Sequence, residues 1–167
     1  MLLVLLTTSA GNAWPRPRRK EIKVSANTVA WHYDPSVAAF PDGGLMVVWA
    51  EEQIRGQIFT PEGEQGNRVF VAPRWTEYQV EPVVAQHADG NYVVVWVDTD
   101  EISGPGLFGR ALDEAGLPLT RRFRVTTTLA SGQQSPAISA SRQGATLVVW
   151  EQLAEDGRTE IFARFVR

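Results

Sequence analysis

The chain has 167 residues, 44% of them hydrophobic, enough apolar surface for one ordinary core and too much for wholesale disorder. Its formal charge of -3 leaves no overall basic footprint of the kind a nucleic-acid binder carries. With no cysteine and only His32 and His87, disulfides and thiolate metal sites are excluded and little remains for histidine chemistry.

The first residues, "MLLVLLTTSAGNA", are an apolar run followed by small residues, with Gly11 and Ala13 where a signal peptidase would cut. Residues 1–13 read as a signal peptide, too short to span a bilayer. A basic, proline-rich linker, "WPRPRRK", fills residues 14–20. The expected location is secreted, periplasmic or at the cell surface, with no transmembrane segment.

Residues 21–167 hold three copies of one unit, at about 21–67, 68–121 and 122–167. Trp49, Trp96 and Trp150 each follow a proline by fourteen residues: Pro35, Pro82 and Pro136. A glycine lies eight residues after each proline (Gly43, Gly90, Gly144), and a valine eleven before it (Val24, Val71, Val125). The pairs Ile58-Phe59, Leu107-Phe108 and Ile161-Phe162 are taken as a further shared anchor. Each copy reads as strands: "PSVAAF", "PVVAQH" and "PAISAS" first, then a glycine turn. The runs "LMVVW", "YVVVW" and "TLVVW" are apolar throughout, as strands buried on both faces are. A third strand ("GQIFTP", "GLFGRAL", "EIFARFV") and a fourth ("RVFVA", "RFRVT") follow. Helix signals are nearly absent. Short antiparallel strands in a repeat of this length predict an all-β fold of β-propeller type with three four-stranded blades.

The pattern P-x-[VI]-A, DGG, VVW, IF, G resembles tandem repeats of large bacterial secreted and surface proteins of propeller-like fold. The likeness runs from Glu21 to Arg167, and the third copy departs from it at Gln143, which replaces the acid before the turn glycine. It implies export and a propeller, and no chemistry.

Residues "EIKVS" match a fourth strand and "EIFARFVR" a third, so the last blade is expected to lack its fourth strand. Three closures follow: a homodimer forming six blades with strands exchanged between chains, a three-bladed ring, or a piece of a longer array. Symmetry and edge closure favour the dimer.

Motifs with chemical content are few. Gly104, Gly106 and Gly109 spell G-x-G-x-x-G, but the run leads into a strand, not the helix a dinucleotide site needs. Asp98, Asp100 and Glu101 lack the spacing of a calcium loop and read as solvated acids, with a weak Ca²⁺ site as the alternative. Asp42 and Asp89 read as turn formers. No metal and no cofactor are expected. Trp31, Tyr33, Trp75 and Tyr78 fall in loops outside the repeated core positions, on the face expected to carry Glu51, Asp98, Asp100 and Glu101. Aromatics among carboxylates suit a glycan or a protein ligand. The main expectation is a non-catalytic exported interaction module using those eight residues, and not an enzyme. The alternatives are a glycosidase- or sialidase-like propeller acting through a carboxylate such as Glu51 or Asp98, and a structural spacer.

Overall fold

The computed structural model describes residues 20–25, 30–72, 78–87, 89–100, 104–127, 132–141 and 143–166. The proposed signal peptide and all but the last residue of the linker lie outside them. Eleven strands form: β1 (Tyr33–Ala39), β2 (Leu45–Ala50), β3 (Ile54–Phe59), β4 (Gln65–Phe70), β5 (Gln79–Gln86), β6 (Tyr92–Asp100), β7 (Gly104–Leu112), β8 (Phe123–Arg124), β9 (Gln133–Ala140), β10 (Thr146–Leu153) and β11 (Thr159–Val166). They make three antiparallel sheets, ordered β1-β2-β3-β4, β5-β6-β7-β8 and β9-β10-β11. The chain is an all-β, propeller-type fold, and among the described residues its third blade has three strands, as the sequence phase predicts. Gly104 to Gly109 lie in β7, so their G-x-G-x-x-G is a strand.

Blades stack because their second strands are apolar on both faces. Between blades 1 and 2, Met46, Val48, Ile54 and Val71 meet Val84, Val94 and Trp96. Between blades 2 and 3, Val95, Leu107 and Val125 meet Val148 and Trp150. The first strands face one another, β1 beside β5 and β5 beside β9, so they line the axis. Each first turn is built alike. Gly43, Gly90 and Gly144 take φ of 98°, 91° and 85°, a region glycine enters without penalty. Asp42 and Asp89 close their turns by accepting the amides of Gly44 and Asn91, each at 3.0 Å.

Two expectations are corrected. Residues 21–25 are not a strand; Val24 and Ser25 instead border a cavity with His32, Tyr33, Pro35 and Trp49. The Phe anchor is also misplaced in the first copy. Phe108 pairs with Trp96 and Phe162 with Trp150, but Trp49 pairs with Arg55, and Phe59 pairs with Leu45. The first copy's hairpin after β2 is shorter, which moves Ile58-Phe59 four residues along β3 and makes Phe59 the counterpart of Leu112.

His87 ties the first turns of blades 2 and 3 together. Its Nε2 donates to the Gly144 carbonyl at 2.8 Å, and its Nδ1 lies 3.0 Å from Asp89 Oδ1. The Gly144 hydrogen bond, then that to Asp89, raise the imidazole above its ordinary value of 6.5, against a smaller opposing effect of burial. A raised folded value means the stabilisation is fully present below 6.5 and is lost as the pH climbs through the folded value. Urea midpoints measured from pH 6 to 8.5 should therefore fall more steeply for the native chain than for His87→Gln.

Candidate functional site

Three structural devices recur, two of them in all three blades and one in the first two, and they position everything else. The first anchors the core tryptophan. Trp49 Nε1 donates to Glu51 Oε2 (3.2 Å), Trp96 Nε1 to Asp98 Oδ2 (3.1 Å) and Trp150 Nε1 to Gln152 Oε1 (3.5 Å). Each acceptor also meets a polar residue seventeen positions before its tryptophan. His32 Nε2 lies 3.0 Å from Glu51 Oε2, and Gln79 and Gln133 donate at 3.2 Å to Asp98 and Gln152.

The second device is an arginine over a phenylalanine between third and fourth strands. The Arg55 guanidinium sits 3.9 Å from the Phe70 ring centre, and that of Arg124 5.1 Å from the Phe108 ring centre. Arg55 pairs with Phe70 and Phe108 with Arg124, so the two residue types have exchanged strands between blades.

The third device is at the axis. Asp34, Glu81 and Ser135, each just before a repeat proline, take φ of 52°, 51° and 52°. Left-handed backbone is rare for non-glycine residues and costs of order 1–3 kcal/mol. A bulge in each first strand accommodates it. The three residues connect in series: Glu81 N donates to Asp34 Oδ2 (3.1 Å) and Ser135 N to Glu81 Oε2 (2.5 Å). Together with Pro35, Ser36, Pro82, Val83 and Pro136 they line an open cavity of about 400 Å³. Two acidic residues from neighbouring blades thus line one cavity where the first strands meet, each carboxylate accepting the amide of the next blade's bend.

The predicted residues divide into three groups. Trp31, 87% exposed, and Tyr78, 55% exposed, occupy equivalent positions three residues before Asp34 and Glu81. The blade 3 equivalents are Gly132 and Ser135, so aromatic and carboxylate are missing there together. Tyr33 lies beside them: burial, then the proximity of Tyr78 and Asp34, raise its phenol above the ordinary value. Its hydroxyl donates to the Glu51 carbonyl at 3.5 Å, so the loops before first strands and after second strands do share a face.

The expected acids fare differently. Glu51 is committed to Trp49, His32 and Arg55, the last at 2.8 Å. Asp98 is no solvated loop acid: it is fully buried in β6, accepting from Trp96 and Gln79 and paired with Arg122 at 3.3 Å. Its fixed place in the core corrects its reading as a ligand-facing group. Asp100 ends β6, while Trp75 and Glu101 lie outside the described residues. Among the described residues no cluster of His, Asp and Glu could hold a metal ion, and no helix is long and apolar enough to cross a membrane.

No protein-family model matches the chain, and no curated protein matches it in sequence. Solved structures do resemble it. An engineered GH43 glycoside hydrolase with endo-xylanase and exo-arabinofuranosidase activity superposes with a TM-score of 0.54 at 13% identity, over 80% of this chain and 26% of its own. The GH43_1 enzyme from Xanthomonas citri, complexed with xylose, gives 0.51 at 19% identity over 78% and 43%. The GH43B protein of the Bacteroides ovatus xyloglucan locus gives 0.52 at 14% identity over 81% and 26%. The chain thus spans between a quarter and under half of these proteins' lengths. They are five-bladed β-propellers, and at such identities the likeness establishes the fold. It also corrects the expectation of a non-catalytic interaction module that is not an enzyme. The propellers this one resembles are glycoside hydrolases, in line with the glycan-processing alternative.

Asp98 is expected to be structural. Asp98→Ala removes the acceptor of the buried Trp96 indole N–H and the carboxylate partner of half-buried Arg122, and should cost about 2–3 kcal/mol. A urea denaturation series that shows a loss below about 1 kcal/mol would remove it from the core network.

Proposed function

We propose that these blades belong to an exported glycan-hydrolysing propeller whose reacting site is the axial cavity. The supporting observation is that Asp34 and Glu81 line one cavity, held by equivalent strained bends on adjacent blades. Cleaving a glycosidic bond takes two carboxyl groups. One protonates the departing oxygen; the other activates water or attacks the anomeric carbon. Strain kept at equivalent positions in three blades, beside an open cavity, is where such groups are expected to be held. Trp31 and Tyr78 supply exposed ring faces on which sugars stack, each three residues from its carboxylate. Tyr33 adds a hydroxyl at the same rim. Because blade 3 carries neither aromatic nor carboxylate at the matching positions, the glycan would lie over blades 1 and 2.

Xylan, arabinan and 4-nitrophenyl pentosides are the first substrates to assay. Asp34→Asn and Glu81→Gln should each lower kcat by about 100-fold or more, the range removed with a general acid or base. Trp31→Ala should raise KM several-fold with a smaller effect on kcat. No hydrolysis of any of these by the native chain, or unchanged rates in both carboxylate variants, would overturn the reading.

A further inference from the structure

Each blade has a face that its successor covers, and the chain shows the covered form twice. In blade 1, Ile54 is 0% exposed, and its carbonyl accepts the Val71 amide at 3.1 Å. In blade 2, Leu107 is 0% exposed, and its carbonyl accepts the Val125 amide at 2.8 Å. Val71 packs in the same core as Trp96 of the following blade, and Val125 in that of Trp150. An arginine then fixes each valine from its other side: Arg110 Nη1 donates to the Val71 carbonyl (3.1 Å) and Arg164 Nη1 to the Val125 carbonyl (2.6 Å).

The third repeat of this interface is present only as two separated halves. On blade 3, Ile161 stands where Ile54 and Leu107 stand, yet it is 73% exposed, and Phe165, on the same face of β11, is 65% exposed. Among the described residues β11 pairs with β10 alone. On blade 1, Val37 stands where Val84 does and is 58% exposed, against 5% for Val84. Val24 meanwhile borders the cavity beside Trp49, the relation that Val71 has to Trp96 and Val125 to Trp150. Blade 1 therefore already carries the valine that a preceding blade would present, and blade 3 carries the isoleucine that such a valine would join.

We propose that a second copy of this chain completes the interface head to tail. Blade 1 of the second copy covers β11, and its Val24 amide bonds to the Ile161 carbonyl. The contact is heterologous, since different surfaces of the two copies meet, and two such contacts close a ring of six blades. Covering β11 removes an open sheet edge with exposed apolar side chains, which invites pairing with any strand. Closure also brings Asp34 of the second copy next to Ser135, so that the axial cavity is walled all round by first strands from both copies.

Light scattering on the full chain should give twice its 18.5 kDa mass. Val37→Glu and Ile161→Glu each place a charge on one half of the interface. Both positions are solvent-exposed in the protomer, so each variant should fold, checked by near-ultraviolet circular dichroism, and run at half the native mass. Mixed one to one, the two variants should pair again. The Val37→Glu chain keeps a sound blade 3 face and the Ile161→Glu chain a sound blade 1 face, so one intact contact forms. A native monomer at tens of micromolar, variants that remain paired alone, a mixture that stays monomeric, or an open series of ever larger species would each overturn the proposal.

Discussion

An apolar strand with no polar face cannot be satisfied by its own sheet. β2, β6 and β10 each present such a strand in the middle of a blade, and hydrogen bonding to the first and third strands on either side satisfies their backbone without hiding their faces. Only another sheet does that, at the roughly 10 Å spacing of stacked sheets. Stacking in turn fixes which strand lies innermost, and the innermost strands carry Asp34, Glu81 and Ser135 to a common axis. The candidate chemistry is thus a by-product of where the hydrophobic burial places the first strand of each blade.

The axial bends conflict with local preference. A residue before proline is steered toward extended backbone, yet Asp34, Glu81 and Ser135 are left-handed ahead of Pro35, Pro82 and Pro136. What holds them is neighbouring structure: the bulges in the first strands, and the serial bonds from Glu81 N to Asp34 and from Ser135 N to Glu81. The bends at Glu81 and Ser135 are therefore each supported by the preceding blade as well as by their own. The tryptophan anchors reinforce the same end of each blade, keeping the second strand fixed against the first beside the bends through Glu51, Asp98 and Gln152.

Much of the architecture is legible in the residues. The proline, glycine and tryptophan spacings mark three blades, and the phase of the repeat foretells a three-stranded last sheet. Turn chemistry is equally readable at Asp42-Gly43 and Asp89-Gly90. The site is harder to see. Asp34 and Glu81 sit directly before the prolines that align the copies, but nothing in a linear pattern says that those positions face a shared axis; that follows from closure in three dimensions. Asp98 misleads in the opposite sense, because "VDTDEI" has the composition of a solvated loop while β6 extends through Asp100 and buries Asp98. The polar residues seventeen before each tryptophan (His32, Gln79, Gln133) were a readable signal, hidden by their differing chemistry. The first copy's phenylalanine slips because a shorter hairpin leaves the motif recognisable in letters and displaced in space.

The exchanged arginine and phenylalanine bear on how such repeats diverge. Arg55 faces Phe70 in one blade, while Phe108 faces Arg124 in the next. Moving β3 alone into blade 2 would set guanidinium against guanidinium, and moving β7 alone into blade 1 would set ring against ring. The third and fourth strands of a blade thus form one unit for this contact: exchanging β3 with β7 alone removes the cation–ring pair from both blades, while exchanging the whole hairpins keeps it.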